Sequence, residues 1–148
     1  MKRVLFLFGL IGCLLFSSFP GFANETEAAK EEYKEAISEN WKKMLKGSIR
    51  LDTMNAENNT HLLEWQDVED PPKEAEALVE QIEKLMKQQE ADQESMDPYT
   101  KAKKACDEKM NADGANAALE NIIRIQEDRI EDQKELSKLW DQVEKLLK

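Results

Sequence analysis

The 148-residue sequence contains one histidine, two cysteines, five glycines and four prolines. Each scarcity removes a class of chemistry or fold. His61 has no second His or Cys at ligand spacing, whereas zinc centres need three or four protein ligands. No Gly-x-Ser-x-Gly turn, phosphate-cradling glycine loop or Cys-x-x-Cys pair occurs. No acidic stretch supplies the alternating oxygen ligands and central glycine of a calcium loop. Carboxylate pairs suited to glycoside cleavage are uninformative here, because 31 acidic residues make countless pairs. The expectation is therefore a non-enzyme with no catalytic residue, no cofactor and no metal.

What is present is charge and helix-forming residues. Charged residues make up 35% and apolar ones 41% of the chain, with Val, Ile and Thr well below Glu, Lys, Ala and Leu. That balance favours helix over strand and allows one small domain. Lys2 and Arg3 precede an apolar run from Val4 to Phe16 and a small-residue exit ending in Gly21-Phe22-Ala23. The three regions predict a signal peptide, residues 1–23, cut after Ala23. With Lys2 and Arg3 gone, the 21 basic side chains fall to 19 against 31 acidic ones, a formal charge of −12 for residues 24–148.

Two other readings of this segment stay open. Leu10-Ile11-Gly12-Cys13 has the shape of a lipobox, and acylation of Cys13 would tether the chain to a membrane. An uncleaved anchor would need about 20 apolar residues, which Ser17, Ser18 and Pro20 work against. Cleavage after Ala23 leaves Cys106 alone, so no internal disulfide is expected. An acidic surface makes nucleic acid a poor partner, since phosphate binding draws on basic side chains releasing counterions. The clusters Lys42-Lys43 with Lys46, and Lys101-Lys103-Lys104, read as solvated faces. Asn24-Glu25-Thr26 and Asn58-Asn59-Thr60 fit the glycosylation pattern.

Along residues 24–148, Ala29, Tyr33, Ala36, Ile37, Trp41, Met44 and Leu45 recur at steps of three and four, predicting a helix over 24–47 with Gly47 as its C-terminal cap. Residues 48–70, with Asn55, Asn58 and Asn59 at their centre, read as an irregular appendage. Asp70-Pro71-Pro72 and Asp97-Pro98 are start signals for helices over 71–92 and 97–112, the second with Tyr99, Ala102, Cys106 and Met110 in line. A long helix over 114–147 follows. Its apolar stripe is broken between Gln126 and Glu135, where only Ile130 is apolar. The fold expected is an all-α, elongated antiparallel bundle of three or four amphipathic helices. A coiled-coil oligomer is the rival, and it would place Gln126, Arg129 and Gln133 in the seam.

Two residues are the candidate partner-binding positions. Trp65 lies in the irregular segment, where little core should depend on it, and tryptophan is the side chain most able to dominate an interface. Ile130 is the lone apolar residue of the polar belt. Trp41 and Trp140 are expected in the core.

The stretch Gly114-Ala115-Asn116-Ala117-Ala118-Leu119-Glu120-Asn121-Ile122-Ile123-Arg124-Ile125-Gln126, continuing to Leu136 and Leu139, resembles the C-terminal helix of the pilus-tip minor components of type IV secretion and conjugation machines. The rest of the chain resembles that family in layout only. The resemblance implies a non-catalytic assembly or adhesion role in a bacterial secretion or conjugation apparatus, with no site residue carried over. The expected function is thus that of an exported helical interaction protein, periplasmic or extracellular, whose partners are other proteins of the cell envelope. A periplasmic chaperone or small-ligand carrier is the alternative.

Overall fold

The structure, a computed structural model, describes residues 27–148. The expected signal peptide, the lipobox at Cys13 and the glycosylation pattern at Asn24 lie outside the described residues. Four helical segments follow one another: α1 (Glu27–Trp65), α2 (Lys73–Ser95), α3 (Asp97–Asp107) and α4 (Ala112–Leu147). No strand occurs among the described residues, and the fold is an all-α bundle.

Side-chain partners give the helix directions. Asn40 meets Asn116, Ser48 meets Gln126, Asn58 meets Gln133 and His61 meets Trp140. The two sets of numbers rise together, so α1 and α4 run parallel. Gln93 meets Arg129 and Gln89 meets Asp132, so α2 runs the other way. Successive helical rods therefore alternate up, down and up, and the first and last are a parallel neighbouring pair. Each of the other segments has Cα atoms within 8 Å of α4, whereas the α1 and α2 backbones nowhere come that close. α4 is the shared wall of the bundle, and a groove separates α1 from α2.

α1 corrects the expected ending at Gly47 and the irregular appendage after it. It runs unbroken for 39 residues, well past the Asn cluster. Gly47 is an interior residue, although glycine there costs a helix about 1 kcal/mol relative to alanine. The reason is a neighbour: a Cβ at Gly47 would lie 2.5 Å from Oε1 of Gln126. The asparagines that resembled a loop lie in the helix with Gln133 of α4 bonded to the Asn55 oxygen and the Asn58 nitrogen. Thr53 and Thr60 turn their hydroxyls back onto the carbonyls of Ile49 and Ala56, both at 3.0 Å. The irregular part shrinks to the short link before Lys73, where Asp70 takes a positive φ of 49°.

The proline signals hold in kind, with shifted bounds. Pro72 caps α2, accepting from the Ala75 N–H at 2.9 Å and the Glu76 N–H at 3.1 Å. Met96 stays in the right-handed helical region between α2 and α3. Pro98 lacks the N–H that would continue the ladder, and this divides one rod into two. α3 ends at Asp107 rather than 112, because Met110 adopts a positive φ of 47° and turns the chain. Asn111 then caps α4 by accepting from the Gly114 N–H at 3.1 Å. Gly114 is small because Cys106 Sγ would sit 2.6 Å from a Cβ there. α3 also turns differently from expectation: Ala102 is exposed, and Lys103 shares the inner side with Tyr99, Cys106 and Met110.

Two apolar ends hold the rods together. At one, Ala75, Val79 and Ile82 of α2 pack with Leu136, Leu139, Trp140 and Val143 of α4, edged by Leu62 and Trp65 of α1. At the other, Ala115, Ala118, Leu119 and Ile122 of α4 are buried. There Tyr33 donates its hydroxyl to Asp107, whose second oxygen accepts from Lys103 at 2.6 Å. Burial, then the bond to Asp107, pushes the Tyr33 phenol well above its ordinary range. The Lys103 ammonium lies 4.6 Å from the centroid of the Trp41 ring, a cation–π contact.

Candidate functional site

The apolar break that the sequence shows in α4 is not a break in its buried stripe. Leu119, Ile122, Gln126, Arg129, Gln133, Leu136, Trp140 and Val143 are all buried and follow one another at alternating steps of three and four. That is heptad spacing. The seam places Gln126, Arg129 and Gln133 inside the bundle, filled by helices of the same chain.

These side chains meet amides from both other rods. Asn58 Nδ2 donates to Gln133 Oε1, and Gln133 Nε2 donates to Asn55 Oδ1 and, at 3.4 Å, to Gln89 Oε1. Gln89 Nε2 donates to the Arg129 carbonyl at 3.1 Å and to Asp132 Oδ2 at 3.2 Å. Arg129 donates from Nε to Gln89 Oε1 at 3.2 Å and from Nη1 to Gln93 Oε1. One turn nearer the start of α4, Gln126 Nε2 donates to Ser48 Oγ at 2.9 Å. A polar layer thus spans α1, α4 and α2. Asn58 Oδ1 and Gln126 Oε1 are its buried oxygens without a partner.

The layer carries a buried charge. Arg129 is 6% exposed, and its bonds go to neutral amide oxygens. Burial pushes its guanidinium below the ordinary value, and the carboxylates of Asp92 and Asp52 offset part of that. Asp132 shifts the opposite way for the same primary reason: burial raises its carboxyl pKa, the Gln89 bond lowers it, and Asp92, Glu135 and Asp128 raise it further.

The Asp132 shift has a definite sign in stability. A carboxyl raised in the folded state binds protons there more readily than in the unfolded chain. Its ionisation therefore weighs against folding once the pH passes the ordinary carboxylate value of about 3.9. Asp132→Asn is expected to raise the melting temperature at neutral pH, with the gain vanishing as the pH falls below that value. Thermal melts of both proteins across the acidic range check this; a gain that persists at the acid end would assign the effect to something other than ionisation.

The two candidate partner-binding residues are not brought together. Ile130 is 8% exposed, so in the folded chain it is a packing residue of α4 and presents no partner-facing side chain. Trp65 is the last residue of α1 and half-buried against the Trp140 cluster. The expectation that little core depends on it is corrected, since the helix continues through residue 65 and carries the indole onto that cluster. Trp140 is 2% exposed, and Trp41 is half-buried. His61 stacks on the Trp140 ring at 5.5 Å between centroids and lies 3.7 Å from both Glu64 and Glu144. Asn58 is 2% exposed and engaged by Gln133, so its amide is not presented for glycosylation.

Sequence reading passed over the outer face of α1. Ile49 is 66% and Leu63 is 64% exposed. Ala56 lies midway, seven residues from each, and Thr53, Ala56 and Thr60 are exposed too. Seven residues are nearly two helical turns, so the five form one uncharged stripe of about 21 Å. A signal was available in that spacing, masked by the neighbouring asparagines.

Two concavities accompany these features. One, about 80 Å³, lies in the groove between α1 and α2 over Arg129 and Gln133. The other, about 460 Å³, is an open depression on α4 lined by Glu131, Asp132, Lys134, Glu135, Lys138, Leu139 and Gln142. Among the described residues no cluster of three or more His, Cys, Asp or Glu could hold a metal, and no helix is long and apolar enough to cross a membrane. No family model matches the chain, and neither curated proteins nor solved structures give a match.

Proposed function

We propose that this chain is an exported, non-enzymatic helical interaction protein that works against other proteins of the cell envelope. The observation that carries the interaction reading is the α1 stripe, where Ile49 and Leu63 stand more than three-fifths exposed on an otherwise strongly charged chain. Large apolar side chains aligned on one helix face mark a docking surface more often than single scattered ones do. Export rests on the sequence pattern of Met1–Ala23, and the likeness of α4 to pilus-tip minor components would make the partner a subunit of a secretion or conjugation apparatus.

The carrier reading has less support. The groove cavity of about 80 Å³ is far below the roughly 300 Å³ at which ligand pockets begin. The larger depression is lined mainly by charged side chains.

The test is a variant carrying Ile49→Ser and Leu63→Ser. Both side chains lie outside the core, so the unfolding free energy should change by no more than about 0.5 kcal/mol per site. Capture of partners from the native envelope should fall sharply. Full capture by a normally folded variant would overturn the interaction role of this stripe.

A further inference from the structure

The charges around the α1 stripe are sorted by position. From Trp41 to Arg50 there are four basic residues, Lys42, Lys43, Lys46 and Arg50, and no acidic one. From Glu57 to Asp70 there are five acidic residues, Glu57, Glu64, Asp67, Glu69 and Asp70, and no Lys or Arg. Spacings of four, seven and seven residues put Lys46, Arg50, Glu57 and Glu64 on a single flank of the stripe. All four are exposed. Lys43 is engaged by Glu39 at 2.9 Å, and among the described residues Glu64 has only the His61 imidazole, at 3.7 Å, within ion-pair distance.

We propose that the outer face of α1 binds a second copy of this chain, with the two α1 helices antiparallel and the two-fold axis passing beside Ala56. This deepens the interaction reading above and rests on it. Residue type, spacing and charge all select that arrangement. An axis at Ala56 sets Ile49 against Leu63 of the other copy and leaves the smallest side chain where the helices cross most closely. Antiparallel helices bring like flanks face to face. Lys46 and Arg50 then both lie within about 3 Å, along the helix, of the level of Glu64 of the other copy, twice over by symmetry, while Glu57 sits beside its own counterpart at the axis. A parallel pair would instead set this flank against the opposite one, where Asp52 could meet Arg50 but Asn59 offers no cation to Glu57 or Glu64. The heads of the stripe would also be basic against basic. Charge complementarity of this kind fixes partner and orientation more than it adds affinity, and the stripe supplies the apolar centre that the charged rim surrounds.

The experiment uses the purified chain, with its mass in solution followed by sedimentation across the micromolar range. The wild type should be a dimer that weakens with added salt. Lys46→Glu with Arg50→Glu, and separately Glu57→Lys with Glu64→Lys, should each raise the dimer dissociation constant about tenfold or more while leaving the helical spectrum and the melt of the monomer in place. Mixing the two variants should restore pairing, because one flank is then wholly acidic and the other wholly basic. Orientation is read separately by oxidation of Ala56→Cys and of Glu35→Cys, each with Cys13→Ser and Cys106→Ser. Cross-linking at residue 56 but not at 35 is expected.

A wild type that stays monomeric, variants that dimerise as well as wild type, or cross-linking at both cysteines would each overturn the proposal. The envelope capture assay separates this from the broader reading. A monomer that still loses capture through Ile49→Ser and Leu63→Ser keeps the interaction role and assigns the stripe to a different protein.

Discussion

Trp140→Ala is expected to lower the unfolding free energy by about 3 to 5 kcal/mol and the melting temperature by roughly 10 to 20 °C. The indole is 2% exposed and sits where α2, α4 and the end of α1 converge. Removing it leaves a cavity that Ala75, Val79 and Ile82 cannot close without moving a whole helix, because their own backbone is fixed by α2. It also strips His61 of the ring on which it stacks. Trp140→Phe separates packing from hydrogen bonding. The Trp140 Nε1 is buried without an acceptor, and an unpaired buried donor costs about 1 to 3 kcal/mol. Phenylalanine removes that donor and keeps most of the ring, so its loss should be less than half that of alanine. Helical ellipticity followed through heating measures both; equal losses would mean that the indole N–H is satisfied after all.

The fold class was legible because proline and apolar periodicity both act locally. Pro72 and Pro98 cannot lie deep in an unbroken helix, and Val79, Ile82, Trp140 and Val143 report their burial through spacing alone. What could not be read locally was the length of α1. Gly47 and the asparagines at 55 and 58 each argue for a helix end when only their neighbours in sequence are considered. Their reasons lie 70 to 80 residues away, in Gln126 and Gln133, which fill the space a Cβ would need and supply the amide partners.

The candidate residues divide along the same line. Gln126, Arg129 and Gln133 looked like a gap in an apolar stripe because polarity was read as exposure, whereas their heptad spacing continued the seam of Leu119 and Ile122. Trp65 stands out in the sequence as a tryptophan in a segment without helical periodicity, and Ile130 as the lone apolar residue of a polar belt. Burial depends on what α2 and α4 bring to them, and that is a tertiary fact. Ile49 and Leu63, which type alone would have placed in the core, lie on the outside.

Gln133→Leu is expected to destabilise the chain by about 2 to 4 kcal/mol, despite placing an apolar side chain of similar size in the interior. Gln133 is the hub through which α1 reaches α2: it accepts from Asn58 and donates to Asn55 and Gln89. Leucine removes both roles and leaves Asn58 Nδ2 buried without an acceptor beside Asn58 Oδ1, which already lacks a partner. Each such orphan costs about 1 to 3 kcal/mol. Replacing the layer as a unit should act in the opposite direction. With Asn58, Gln89, Arg129 and Gln133 all changed to Leu, the amides that lose a partner are the half-buried Asn55 and the exposed Gln93, which water can reach, and the desolvation of the Arg129 guanidinium disappears, so stability should return to the wild-type level or exceed it. The loss should fall on uniqueness. An apolar seam uninterrupted from residue 129 to Val143 lets α1 and α4 slide by a heptad, whereas the amide chain from Asn55 through Gln133 to Gln89 is satisfied in one register only. Denaturant titration measures the first effect, and the sharpness of amide resonances measures the second. A stable quadruple variant with one set of sharp resonances would show that apolar shape alone fixes the register; a destabilised one would show that the polar layer contributes net stability.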